Sequence, residues 1–284
     1  MARRGSGVVH EERNAMSGAF FMATLLMWAL SVLYEIVFIH RTELLPILAG
    51  FCFYQSANWV IRSCLNRDPL FVNTSVSLLH SSITSVSVVF VLVNQWMRNS
   101  LSTMFAHSEL VEHSWPWAYP ALCISCGYFA YDQWDMLLHH LYKGWIPSIL
   151  VHHLVLLVCF TLALYRNVTI NYLILTLVCE LHSIFLHTRK VRRMAGVRDA
   201  SSRIVKAEWC ANWTTFVLAR FTSHILITVK LLKDSSKFNK GVELPLALFG
   251  MAGMNLLNIG LGIDLFEAYR RERKEKTDNH NHHE

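Results

Sequence analysis

The chain has 284 residues, 53% of them hydrophobic and only 16% charged, with a formal net charge of +6. Soluble domains carry about 45–50% apolar and about 25% charged residues, so this composition excludes an ordinary soluble enzyme or binding module. The positive charge does not indicate nucleic acid: basic residues cluster at Arg189–Lys206 and Arg270–Lys276, beside the ends of apolar runs, where membrane topology places them.

A helix that crosses the hydrocarbon needs about 20 mostly apolar residues, because each adds about 1.5 Å. The chain supplies eight such runs in order: Met16–Ile39, Leu44–Ile61, Asn73–Gln95, Ala118–Leu138, Trp145–Tyr165, Val168–His187, Trp209–Leu232 and Leu244–Phe266. The first is too long for the apolar core of a secretory signal and lacks a small-residue cleavage site, so it is expected to stay as a helix. The second is the shortest and also fits a re-entrant segment. None shows the alternation of a barrel strand. The expected fold is all-α, a multi-pass transmembrane bundle of about eight helices, without internal repeats or long linkers.

The seven cysteines lie in or at the ends of apolar runs. Cys123 and Cys126 have CxxC spacing, but in an apolar helix they are expected to be small packing residues, and no metal or other cofactor is expected. The tail histidines His280, His282 and His283, with His107 and His113, are expected to be solvated.

With eight spans both termini share a side. That side receives 18 basic residues: Arg3, Arg4, Arg13, Arg62, Arg67, Lys143, seven from Arg189 to Lys206 and five from Arg270 to Lys276. The other side receives 7: Arg41, Arg98, Arg166, Lys230, Lys233, Lys237 and Lys240. The split predicts cytosolic termini. The sequons at Asn73, Asn167 and Asn212 then fall at helix ends on the cytosolic side or in a short turn, and are expected to be polar helix-end residues rather than glycan acceptors.

An ionisable group at the centre of a span costs roughly 2.5–3.5 kcal/mol on insertion scales, so each needs a reason. Here they form stripes at helical spacing. The third run carries Asn73, Ser77, His80 and Thr84. The fourth carries Tyr128, Asp132, Asp135 and His139. The fifth has the adjacent pair His152 and His153, the sixth Thr176, Glu180, Ser183 and His187, the seventh Arg220 with Asn212 two turns earlier, and the eighth Asn255 and Asn258. Because successive helices reverse direction, His80, Asp132, Asp135, His152, His153 and Glu180 fall at one depth, about 10 Å in from the cytosolic face. This predicts a polar-lined cavity among helices three to eight, with Arg220 among its residues. The plainer reading makes each residue an interhelical hydrogen-bonding group, with Arg220 paired to Asp132 or Asp135. Glu35 and Asp264 sit near run ends and are expected at the interface.

Four segments together resemble the TLC-domain family, which includes ceramide synthases: NTSVSLLHS at Asn73–Ser81, GYFAYDQWD at Gly127–Asp135, LVHHLVLL at Leu150–Leu157 and ELHSIFLHTRK at Glu180–Lys190. The resemblance implies a TLC domain over residues 62–272, six of whose helices form a barrel around the cavity. It leaves a tail and two leading helices at 1–61 and a cytosolic polar tail at 273–284. The pattern E-x-x-x-IFL-x-x-R at Glu180–Arg189 resembles the branch of small TLC-domain proteins one and two, the calfacilitin-like regulators of membrane fluidity. That branch implies a plasma-membrane protein that limits incorporation of polyunsaturated chains into phospholipids, through lipid or acyl-chain binding and without chemistry of its own. The paired His152–His153 also resembles the acyl-transfer site of ceramide synthases, which implies the alternative of an acyl-CoA-dependent acyltransferase. Its catalytic candidates are His152, His153, Asp132 and Asp135, since an imidazole exchanges a proton near neutral pH. The chain departs from that group on the next helix, where Glu180, Leu181 and His182 replace its aspartates. A third reading is modulation of a membrane-protein partner such as a channel or cargo.

Overall fold

A computed structural model describes residues 2–142, 147–199, 202–238 and 241–281 of the chain, with side chains between 15 and 274. Lys143, Trp145, Lys240, His282 and His283 lie outside the described residues, as do the side chains of Arg3, Arg4, Arg13, Lys276 and His280.

The described residues form eight long helices and no strand: α1 (Ala2–Val37), α2 (Leu45–Cys64), α3 (Pro69–Arg98), α4 (Ala118–Leu138), α5 (Ser148–Arg166), α6 (Ile170–Met194), α7 (Arg203–Lys233) and α8 (Glu243–Asn281). Seven of them are long and apolar enough to cross a membrane. The exception is α4, whose Tyr, Gln and Asp residues lower its hydropathy. It needs no apolar coat, because it is the most enclosed helix, with Tyr128, Phe129, Tyr131, Asp132, Gln133 and Asp135 all buried. At 21 residues it is about 31 Å long, enough to cross the full hydrocarbon. The second run also forms a full helix, not a re-entrant turn.

Local chemistry sets the helix starts. Pro69 opens α3 where a missing N–H costs nothing, and the Asp68 carboxylate accepts from Phe71 N at 3.0 Å. Ser202 caps α7 in the same way, accepting from Val205 N at 3.3 Å. Asn167, in the left-handed region at φ 51°, ends α5, a role suited to asparagine. Of the three sequon asparagines, only this one is a helix-end residue. Asn73 and Asn212 are buried inside α3 and α7.

Contacts at the two ends show that successive helices run antiparallel. At one end Arg41, between α1 and α2, donates to Tyr165 O at 2.7 Å and Leu164 O at 3.1 Å at the close of α5. Tyr119 of α4 donates to the same Leu164 oxygen at 3.1 Å, and Arg166 pairs with Glu243 at the start of α8. At the opposite end Asn58 of α2 donates to Tyr131 OH at 2.7 Å, and Arg62 meets His139 at 2.9 Å. There also Arg198 joins Glu208 of α7 and Glu272 of α8. Both terminal helices thus project from one end of the bundle. The outward faces are apolar, as in Phe20, Met27 and Leu30 of α1, and lipid takes the place of water there.

His107, expected to be solvated, instead packs on Phe238 and lies 3.7 Å from Asp234. Asp234 also pairs with Lys230 and Lys237. Burial raises its carboxyl, but the hydrogen bonds from Lys230 and Lys237 outweigh this and hold it below the ordinary carboxylate range. A carboxyl depressed by folding stabilises the fold at higher pH, and that stability is lost as pH falls through the folded value. Asp234→Asn is therefore expected to cost about 1–2 kcal/mol at neutral pH. Thermal unfolding of the detergent-purified protein should show the gap between wild type and variant closing at acid pH; a constant gap would dismiss the ion pairs as its source.

Candidate intramembrane binding site

Six helices bring polar side chains to one chamber of about 590 Å³. From α3, Asn73, Ser77 and Ser81 reach it, and from α4, Tyr128 and Asp132. The adjacent pair His152–His153 comes from α5, while α6 supplies Glu180, Ser183, His187 and Lys190. Arg220 of α7 enters it too, and α8 closes the wall with Asn258 and Asp264.

The carboxylates are held by neutral donors. Asn73 Nδ2 donates to Asp132 Oδ1 at 2.6 Å and to Asp135 Oδ2 at 3.0 Å. His153 Nε2 lies 3.4 Å from Asp132 Oδ2, with both side chains buried. Ser81 donates to Glu180 Oε2 at 2.7 Å. Arg220 does not pair with Asp132 or Asp135, contrary to the plainer sequence reading. Its Nε donates to His182 Nδ1 at 3.1 Å, Nη2 to Ser183 Oγ at 2.7 Å and Nη1 to Asn258 Oδ1 at 3.4 Å. All three partners are neutral acceptors, and among the described residues no carboxylate lies within 4 Å of the guanidinium. The backbone around it is a π-helical stretch, Phe216–Thr222. The wider turn shifts side-chain register inside an otherwise regular helix, a feature frequent at functional sites.

Several buried polar atoms in the chamber lack a protein partner: Nδ1 of His152, of His153 and of His187, and Nδ2 of Asn258. Most buried polar groups are satisfied by protein or water, so these atoms are exceptions, and they gather on residues that line the chamber. Lys190 ends the wall and forms no hydrogen bond or ion pair with a described side chain. It is exposed and lines the chamber.

Next to the chamber, and sharing Phe129, His152, Glu180, Arg220 and Met254 with it as lining, lies an apolar cavity of about 110 Å³ between α5, α6, α7 and α8. Leu156, Phe160, Leu173, Leu177, Ile227 and Met251 are among its walls. A polar chamber beside an apolar cavity matches an amphiphile with a polar head and a hydrocarbon chain.

Of the seven residues expected at the cavity, the structure brings five to it: Asp132, His152, His153, Glu180 and Arg220. His80 and Asp135 are turned away. His80 stacks on Tyr128 at 3.6 Å between ring centres and contacts Tyr54 OH at 3.3 Å, facing α2 and α4. Asp135 accepts from Asn58 at 3.0 Å and lies 3.6 Å from His139, also on the α2 side. Asn255 bonds to Thr228 between α7 and α8, outside the chamber. Lys190 and Asp264 were missed because each sits at the end of an apolar run, where a charge reads as an interfacial anchor. Their only available signal was spacing: Lys190 lies one turn beyond His187, and Asp264 lies six residues after Asn258. Among the described residues no group of three or more His, Cys, Asp and Glu stands close enough to hold a metal ion.

A family profile for the TLC domain matches residues 70–266, which include every residue of the chamber. The chain belongs to the TLC-domain family. It is 28% identical over 210 residues to TLC domain-containing protein 2 of Danio rerio, covering 64% of this chain and 83% of that protein. It is 29% identical over 192 residues to the Mus musculus protein of that name, with 67% and 58% covered. For the Homo sapiens protein the identity is 27% over 227 residues, with 78% and 79% covered. No solved structure matches the chain. The chamber thus lies inside the shared domain, while α1 and α2 precede the matched segment.

Proposed function

We propose that this TLC-domain membrane protein regulates phospholipid composition and fluidity by binding a lipid or acyl chain in its intramembrane cavity, limiting the entry of polyunsaturated chains into phospholipids. One observation carries the reading: a polar chamber adjoins an apolar cavity, and the two share Glu180 and Arg220 in their walls. That gradient suits one amphiphile, with its head at Arg220 and Lys190 and its chain along α5 and α6. Lipid profiling of cells with and without the protein tests it. Loss of the protein should raise polyunsaturated chains in phosphatidylethanolamine and phosphatidylcholine and make membranes more fluid. An unchanged profile under a saturated-fat challenge rejects the regulatory role.

The second reading is an acyltransferase that uses acyl-CoA. It is favoured by the His153–Asp132 approach of 3.4 Å, which can fix one imidazole nitrogen while the other, Nδ1, has no protein partner. In that reading the imidazole serves as base or acyl acceptor, and the basic residues at the chamber end meet the phosphates of CoA. Turnover of an acyl-CoA by the purified protein, lost in His153→Asn, is the result that selects it.

For orientation, the 18 to 7 division of basic residues supports a cytosolic position for both termini and for the Arg189–Lys206 connection. The chamber end carrying Lys190 then faces the cytosolic leaflet, in the plasma membrane. Protease protection in sealed vesicles is expected to show the Arg189–Lys206 connection cut only from the cytosolic side. Cleavage from the outside reverses the orientation and removes the route proposed for a cytosolic acyl donor.

A further inference from the structure

A second recess lies apart from the chamber, between the first turns of α7 and the last turns of α8. It has a volume of about 490 Å³ and is lined by Val205, Lys206, Trp209, Cys210, Trp213, Tyr269, Glu272 and Arg273. We propose that it binds the phosphate-bearing headgroup of an anionic phospholipid from the surrounding leaflet.

Three observations argue for this. First, the back wall is already assembled. The Trp209 ring has the Arg189 guanidinium 4.8 Å and the Arg198 guanidinium 5.8 Å from its centroid, and Tyr269 meets it edge-on at 5.1 Å. Its Nε1 donates to Glu272 Oε1 at 3.2 Å. Such a wall pays little ordering entropy when a ligand arrives.

Second, the acidic groups here are already neutralised. Arg192 and Arg198 pair with Glu208, and Arg198 also pairs with Glu272. Lys206 is exposed and forms no ion pair with a described residue, and Arg203 nearby forms none either. The recess therefore presents surplus positive charge to any anion. Basic recesses between helices on the leaflet side with anionic lipid are where phospholipid headgroups dock.

Third, the depth order is that of a phospholipid. Along α7, Lys206, Cys210 and Trp213 succeed one another by about a turn, which puts Trp213 about 10 Å deeper than Lys206. Along α8, Arg273 lies one turn outward of Tyr269, and its guanidinium stands 5.9 Å from that ring. Both columns put charge at the surface and an aromatic ring beneath, as headgroup and glycerol region require. A soluble acidic partner would meet the charges but not the rings sunk below them, so lipid is the better occupant.

The test uses the full chain in nanodiscs of phosphatidylcholine, alone or with a minority of phosphatidylserine. Lipid retained after gentle delipidation is counted by native mass spectrometry. Wild type should retain phosphatidylserine in preference to phosphatidylcholine. Lys206→Gln should lower that preference about fivefold, the effect of about one surface charge. Arg271→Gln removes the same charge outside the recess and should leave it within about twofold. Inorganic phosphate should not displace the lipid. Equal losses in the two variants would reduce the effect to general surface charge and overturn the site. So would displacement by phosphate alone, or a co-purifying protein lost with Lys206→Gln in place of lipid.

Discussion

Gly127→Val is expected to abolish the folded protein. Gly127 of α4 and Gly50 of α2 mark where these two helices cross most closely. A Cβ on Gly127 would run into the Ile47 carbonyl oxygen and stand 2.8 Å from Phe51 N, both backbone atoms of α2. A Cβ on Gly50 would stand 2.8 Å from the Ile124 oxygen of α4. Neither contact can be relieved by rotating a side chain, so the helices must separate. Small residues at such crossings let backbones approach and supply the packing that holds membrane helices together. Separation also strains the Asn58 bonds to Tyr131 and Asp135, which lie further along the same pair. Overpacking of a flexible core costs about 1–3 kcal/mol, and a rigid backbone clash should exceed about 4 kcal/mol. Size-exclusion profiles of fluorescently tagged protein in detergent should lose the monodisperse peak for Gly127→Val and weaken it for Gly127→Ala. Gly253→Ala, where an added Cβ meets nothing within 4 Å, should elute as wild type. A wild-type profile for Gly127→Val would mean the two helices are not this close.

The helices and the chamber were legible for one reason: polar residues inside apolar runs are costly, so their spacing reports which face turns inward. That reasoning finds Asn73, Asp132, the His152–His153 pair and Glu180. It fails where a stripe is wide enough to serve two neighbours. His80 and Ser81 are adjacent on α3 and point about 100° apart. Ser81 reaches Glu180 in the chamber, whereas His80 goes to Tyr54 and Tyr128 on the other side. Asp132 and Asp135 split in the same way, and Asn73 bonds to both across the divide. Which flank faces the cavity depends on where α2 packs, and no local pattern encodes that. The π-helical stretch that carries Arg220 was equally hidden, since FVLARFT has no proline or glycine to mark it. Arg220 itself stood out, but its partners did not. Charge matching pointed to the aspartates, whereas the structure gives it His182, Ser183 and Asn258.

Those partners make Arg220→Gln the variant expected to remove the proposed effect on phospholipid composition altogether. A guanidinium held by three neutral acceptors keeps its full charge at the shared wall, where the surroundings screen it weakly. An anionic headgroup or carboxylate would meet that charge directly, so losing it should weaken such a ligand by about 10-fold or more. Glutamine retains hydrogen-bonding capacity toward Ser183 or Asn258, which separates loss of charge from collapse of that wall. His153→Asn is the contrasting change. Asparagine can still donate to Asp132, but it cannot take up a proton or accept an acyl group. If the cavity binds rather than reacts, His153→Asn should keep much of the wild-type lipid profile while Arg220→Gln resembles the knockout, with both proteins expressed and located normally. Two further outcomes decide between the readings. A knockout-like profile from His153→Asn, with acyl-CoA turnover by wild type alone, moves the assignment to the acyltransferase. A wild-type profile from Arg220→Gln removes the anionic head from the proposed ligand and leaves the apolar cavity as the part that selects it.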